Sequence, residues 1–235
     1  MGLVRRLLGD LPISTHRTSL VSVVIPVYNG ARHIGAAVDS VLEQDAVTPE
    51  LIVVDDGSTD DTAHILRGYG QALRYIYQDN AGSSVARNRG CELASGEFIA
   101  FLDADDLWVR DKLALQCAAF DEDPALDLVW GQVREFDSGS DPQQSSYPAS
   151  AAQHPGTLLM RRTALRRVGK FSEHYQQAEV VEWAARLLQL GLAQRTLPQV
   201  LMYRRLHDSN KGLGNRAAHR EYLQVLKRHM DRKKS

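Results

Sequence analysis

The chain is poor in cysteine, has no long apolar run and carries no excess of either charge. Its two cysteines, Cys91 and Cys117, form no CxxC pair, and two thiols cannot make a disulfide framework, so a reducing, cytoplasmic setting is expected. No stretch approaches the roughly 18 consecutive apolar residues of a spanning helix. The N-terminus has no apolar run followed by a small-residue cleavage site and is not read as a secretory signal. Lys and Arg total 28 against 29 Asp and Glu, a net charge of -1, so no global attraction to nucleic acid is expected.

What is present is apolar and periodic. Hydrophobic residues make up 43% of the 235 positions, enough for one α/β domain with an elaborated C-terminal third. Residues 21–27 and 51–54 are nearly continuous apolar runs, as expected of strands covered on both faces. Further strands are expected over 73–77, 97–102 and 127–133. Helices are expected over 31–44, 59–69 (capped by Ser58 or Thr59), 83–94 and 110–120. Strands separated by helices of this length predict a doubly wound, mainly parallel sheet flanked by helices. Residues 137–156, rich in Ser, Pro, Gln, Gly and Ala, read as a flexible loop. Beyond it come a short strand leading into a helix over 157–168, an amphipathic helix over 178–190, and a C-terminal helix over 216–230.

The resulting division is an N-terminal extension (1–19), a first half (20–136), the loop (137–156), a second half (157–212), and a C-terminal helix with a basic tail (213–235). The apolar and basic residues 2–11 suit a short helix packed on the domain, with peripheral contact at the inner face of a membrane left open. The Lys- and Arg-rich tail reads as solvated.

In such sheets ligands bind beyond the carboxyl ends of the strands, and polar clusters recur there. Pro26, Tyr28 and Asn29 follow the first strand; Asp55, Asp56 and Gly57 the second; Asp79, Asn80 and Gly82 the third; Asp103, Asp105 and Asp106 the fourth. Alternate carboxylates such as Asp103 and Asp105 can turn toward one hard divalent cation, Mg²⁺ or Mn²⁺, shared with a phosphate. The alternative for Asp103-x-Asp105 is a solvated turn, and for Asp55 an Asx-turn. Arg87 on the third helix is placed to reach a diphosphate, or to make a surface ion pair.

Taken together these stretches resemble the family-2 glycosyltransferases of the GT-A, nucleotide-diphospho-sugar transferase-like fold. The carriers are Val23 to Gly30, Ile52 to Thr62, Gln78 to Gly82, Ala86 to Gly90, and Gly96 to Asp106. The resemblance implies that Pro26, Tyr28, Asp55, Asp56, Asp79, Arg87 and Asp103 bind the donor. It implies that Asp105 holds Mn²⁺ or Mg²⁺, with His207 closing on the metal or diphosphate. The partners it implies are a nucleotide-sugar, by default a UDP-sugar, and a glycan, lipid-linked, peptide or small-molecule acceptor. His154 to Arg162 and Val168 to Glu173 resemble the stretch that shapes the acceptor side.

One departure stands out. Many members of that family carry a Glu-Asp pair whose Asp is the catalytic base, and here the pair reads Glu179-Val180. Valine takes no proton. Glu179 and Glu182, three apart on one helix, are the remaining carboxylates for general-base work, although Glu182 is equally suited to an ion pair with Arg186. The expectation is an inverting, metal-dependent transferase; the rival is a nucleotide-sugar-binding protein altered in catalysis. A nucleotidyltransferase is disfavoured because 26–30 lacks a Gly-rich basic loop, and a phospho-acceptor domain because of the second acidic motif.

Overall fold

The computed structural model describes residues 21–175 and 178–207. The extension 1–19, the helix expected over 216–230 and the basic tail lie outside them.

The first half is built from strands β1 (Val21–Val27), β2 (Glu50–Asp56), β3 (Arg74–Gln78) and β4 (Phe98–Phe101), linked by helices α1 (Ile34–Leu42), α2 (Thr62–Arg67) and α3 (Ser83–Leu93). All four strands are parallel, in the order β3-β2-β1-β4. Every residue of β1 and β4 is buried, because helices cover both faces. Alternate strand residues serve separate cores. Val23, Ile25 and Val53 face Ile34, Val38 and Phe120, while Val24, Ile52 and Val54 join Ala86, Ala164 and Trp183.

The chain winds outward from β1 to β3, then α3 carries it back so that β4 lies on the other side of β1. That reversal opens a crevice at the carboxyl ends of β1 and β4, where an open α/β sheet binds its ligand.

The second half continues the same sheet but not its direction. It comprises β5 (Leu107–Trp108), α4 (Lys112–Glu122), β6 (Leu128–Asp137), β7 (Leu159–Arg161), α5 (Arg162–Val168), α6 (Glu179–Gln189) and β8 (Gln194–Leu206). β7 is antiparallel to both β4 and β6, β8 is parallel to β6, and β5 pairs antiparallel with β8. The sheet is therefore parallel through the first half and mixed through the second.

Two sequence expectations are corrected here. Strands β5 and β8 were not anticipated. Strand β8 alternates poorly and carries Pro198, which cannot donate to a ladder. The β6–β8 register shifts between Trp130 and Gln132, and Pro198 falls in that irregularity. The second helix begins at Thr62 rather than 59, and neither Ser58 nor Thr59 caps it, because residues 58–60 bond to the β1 loop instead. The stretch 138–154 is tied back to the sheet. Ser150 pairs with Val133, and Ser145 Oγ donates to the Glu135 carbonyl at 2.5 Å.

Helix α3 lies close on β1 because Gly90 has no side chain. A Cβ there would stand 2.3 Å from Val24 Cγ1, on a β-branched residue that cannot swing away. Gly90→Ala is expected to cost stability near the upper end of the roughly 1–3 kcal/mol typical of overpacking, outweighing the roughly 1 kcal/mol that alanine gains over glycine in a helix. A lowered urea midpoint with an unchanged slope checks this.

Candidate functional site

The crevice walls are loops fastened to one another. After β1, the Asn29 N–H donates to Ser58 Oγ (2.9 Å), Gly30 N–H to Thr62 Oγ1 (2.9 Å) and Ala31 N–H to Asp60 Oδ2 (3.0 Å). Thr59 N–H returns a bond to Asn29 Oδ1 at 2.8 Å. This ladder leaves Tyr28 55% exposed at the rim, with Pro26 buried beneath it in β1. Asn29 sits at a positive φ of 50°, a conformation asparagine tolerates better than most residues.

Asp55 and Asp56 turn inward. Asp55 accepts from Ser58 N–H and from the Tyr75 hydroxyl, both at 2.8 Å. Burial, and then the Asp55 carboxylate, push the Tyr75 hydroxyl up to about 12, so it stays a donor. Asp56 accepts from Gln78 Nε2 (2.7 Å), Ala81 N–H (2.9 Å) and Gly82 N–H (2.8 Å). These two carboxylates shape the turns after β2 and β3. Gly57, at φ 81°, lets those turns touch, since a Cβ there would meet the Asn80 backbone nitrogen at 2.8 Å. Asp79 is exposed just beyond.

Across the crevice the structure joins three expected residues. Arg87, 5% exposed, donates to Asp103 Oδ1 at 2.7 Å and reaches Glu179 Oε1 at 3.5 Å. Burial opposes its charge, but Asp103 and Glu179 outweigh that and raise its pKa. Its guanidinium also lies 5.7 Å from the centre of the Phe171 ring. Glu179 begins α6 and is likewise 5% exposed; its Oε1 accepts from Ser83 Oγ at 2.7 Å.

Asp105 and His207 also meet, with Oδ2 and Nε2 2.8 Å apart. The His207 ring lies 5.5 Å from that of His33. Arg205 supports this corner, donating from Nε to the Asp105 carbonyl (2.8 Å) and from its backbone to Asp106 Oδ1 (2.9 Å). Burial, with Asp105 and Asp103 alongside, drives the Asp106 carboxyl well above the usual range.

Glu182 is placed elsewhere. Both its oxygens accept from Arg186, at 2.8 and 2.9 Å, and Arg186 also donates to the Val168 and Lys170 carbonyls, at 2.6 Å each. Of the two uses weighed for Glu182, it has the ion pair.

Ser83, His33 and Arg205 lie at these contacts without having been expected there, and His154 was expected only as part of the acceptor-side stretch. Ser83 lies at the start of a helix with no periodic signal. His154 precedes a 3-10 turn at Pro155–Thr157 and accepts the Gly156 N–H on Nδ1 at 3.1 Å. Among the described residues, Asp103, Asp106 and His154 form one group whose ligand atoms lie within 4.8 Å of one another. With Asp105 and His207 beside it, this donor set of carboxylates and imidazoles suits a hard divalent cation.

Comparison with known proteins adds the following. A family model described as Glycosyl transferase family 2 matches residues 22–177. TuaG of Bacillus subtilis (strain 168), a glycosyltransferase named for teichuronic acid biosynthesis, is 44% identical over 106 residues, covering 43% of this chain and 42% of the relative. The uncharacterized glycosyltransferase YibD of Escherichia coli is 42% identical over 92 residues, covering 38% of this chain and 27% of its own. The matches thus span less than half the length of these curated relatives. Among solved structures, S. aureus TarS 1-349 in complex with UDP-GlcNAc superposes with a TM-score of 0.74 at 22% identity, over 89% of this chain and 65% of that one. The mannosyltransferase PcManGT from Pyrobaculum calidifontis, in complex with GDP-Man and Mn²⁺, gives 0.70 at 22% identity, over 97% and 69%. At that identity the likeness speaks for the fold, which is of the GT-A type.

Removing Arg87 strands a buried carboxylate. Arg87→Met is expected to cost about 3 kcal/mol, the low end for breaking a buried pair, because the Asp103 side chain is 37% exposed and keeps some water. Adding Glu179→Gln to that variant should restore part of the loss. Chemical denaturation of the single and double variants reads both values.

Proposed function

The chain belongs to glycosyl transferase family 2, and from that premise we propose that it moves a sugar from a nucleotide-sugar, by default a UDP-sugar, onto an acceptor hydroxyl, with inversion and with a divalent metal. The observation that carries this reading is the meeting of the Asp103–Asp106 run with Arg87 and Glu179 at the sheet's reversal point. The neighbours' complexes with UDP-GlcNAc and with GDP-Man and Mn²⁺ support the donor class and the metal.

In this mechanism Tyr28 offers the base an exposed ring, Pro26 and Asp79 flank it, and Asp55 and Asp56 fix the loops that receive the ribose. Asp103, held by Arg87, accepts from ribose hydroxyls. Mn²⁺ or Mg²⁺ held by Asp105 and His207 would neutralise the diphosphate as it leaves. Glu179 is the carboxylate that takes the acceptor's proton. The acceptor oxygen attacks the anomeric carbon from the face opposite the diphosphate, and the electron pair of the breaking bond leaves with the nucleotide. Rate comes from positioning and fixed charge, without a covalent intermediate. The acceptor is a glycan, lipid-linked glycan, peptide or small molecule. No helix of the described residues is long and apolar enough to cross a membrane.

Val180 favours a second reading, a protein that binds nucleotide-sugars without transfer. The two readings differ in turnover and agree on binding.

A thermal-shift screen of nucleoside diphosphates and their sugars, with and without Mn²⁺, tests donor binding, since a ligand of the folded state raises Tm by mass action. The expected result is a rise that needs both one nucleotide and the metal, and that is lost in Asp105→Ala. No rise with any nucleotide at millimolar concentration would sink the proposal. For the base, Glu179→Gln is expected to lower turnover by about 10²–10⁴-fold with donor binding kept. Glu182→Gln should cost about 1 kcal/mol of stability and leave turnover within a few-fold. Turnover that falls with Glu182 and not with Glu179 would reverse the assignment.

A further inference from the structure

The proposed base is sealed. The Glu179 side chain is 6% exposed. Its Oε2 is buried without a hydrogen-bond partner among the described residues. Its Oε1 is occupied by Ser83 Oγ at 2.7 Å and, more loosely, by Arg87 at 3.5 Å. An acceptor hydroxyl therefore has no open face of the carboxylate to approach. Ser83 differs, being only partly buried at the first position of α3. The loop before it turns at Gly82, whose φ of 97° and N–H bond to Asp56 fix where the helix begins. A serine hydroxyl donates one hydrogen bond and can accept two more, so Ser83 can give its proton to Glu179 while receiving one from another hydroxyl.

Resting on the reading that Glu179 is the base, we propose that Ser83 is a catalytic residue, the hydroxyl through which the acceptor's proton reaches Glu179. The acceptor O–H gives its proton to Ser83 Oγ as the Ser83 proton passes to Glu179 Oε1. The acceptor oxygen forms its bond to the anomeric carbon as the bond from that carbon to the diphosphate oxygen breaks, and the electron pair leaves with the nucleoside diphosphate. Serine ends as a neutral hydroxyl and Glu179 as a carboxylic acid, which returns its proton to solvent by the same route. Arg87 takes no proton; it holds Glu179 in place until the transfer. This arrangement offers a way for the chain to work with Val180 where other members of the family carry Asp, because the proton's exit lies one residue earlier on α6 and is completed by a hydroxyl from α3.

The test uses the full chain with Mn²⁺ and water as the acceptor, following nucleoside diphosphate release from UDP-GlcNAc and GDP-mannose. Ser83→Ala is expected to lower kcat about a hundredfold with the donor KM and the donor-induced rise in Tm unchanged. Ser83→Thr, which keeps the hydroxyl, should recover most of the rate. In H2O/D2O mixtures the wild-type rate should curve with deuterium fraction, as two moving protons require, and the Ser83→Ala rate should follow a straight line. If Ser83→Ala is as fast as wild type while Glu179→Gln is slow, the relay is wrong and the base assignment survives. If both variants are as fast as wild type, or if wild type releases no diphosphate from a donor it binds, the base assignment falls and the relay with it. A Ser83→Ala protein that loses the donor-induced Tm rise, with Ser83→Thr equally impaired, would make the residue structural and overturn the proposal.

Discussion

Arg87 is a cation taken out of water and set between two carboxylates, one from each half of the molecule. Leaving it there alone would cost several kcal/mol; Asp103 at 2.7 Å and Glu179 at 3.5 Å make its burial tolerable. Asp103 belongs to the loop after β4, where the donor is proposed to sit, and Glu179 to the start of α6, where the acceptor is proposed to bind. One guanidinium therefore fixes the separation between the two ends of the proposed reaction.

The rest of α3 makes that position rigid. One residue beyond Arg87, the Asn88 side chain bonds Phe171 in both directions, accepting its N–H at 2.8 Å and donating to its carbonyl at 3.0 Å. Ser84 donates to the Ser172 carbonyl at 2.9 Å. Phe171 in turn stacks on Trp183 of α6 with centroids 4.8 Å apart. Gly90, at the far end, allows the helix to lie directly on Val24. The helix is thus pressed onto the parallel sheet by one face and tied to the second half of the chain by another. That accounts for three buried polar residues, Ser84, Arg87 and Asn88, in a short helix whose apolar periodicity is weak.

How much of this could be read beforehand divides along the same line. The parallel half was legible because strands covered on both faces must be nearly continuously apolar, and 21–27, 51–54 and, past Glu97, 97–102 are. The clusters at their carboxyl ends then followed from topology. Strand β8 was not legible, since its burial comes from pairing with β6 and its sequence is interrupted by Pro198. The acidic residues could be located but their uses could not. Asp55 and Asp56 look alike in sequence, yet both turn inward to hold backbone N–H groups. Glu182 offered two uses at equal weight, and the structure shows the Arg186 ion pair, with Arg186 also held by the Val168 and Lys170 carbonyls. Ser83 carries no pattern, because its significance arises from a residue 96 positions away.

The reaction proposed at this edge of the sheet is a metal-dependent displacement with inversion. The most direct measurement is proton NMR of UDP-GlcNAc or GDP-mannose incubated with the full chain, with and without Mn²⁺, recording the anomer of the sugar first released. Release is expected only with the metal, as the anomer opposite to that in the donor, and none from Asp105→Ala. First release of the same anomer as in the donor, or equal release without metal and in Asp105→Ala, would contradict it.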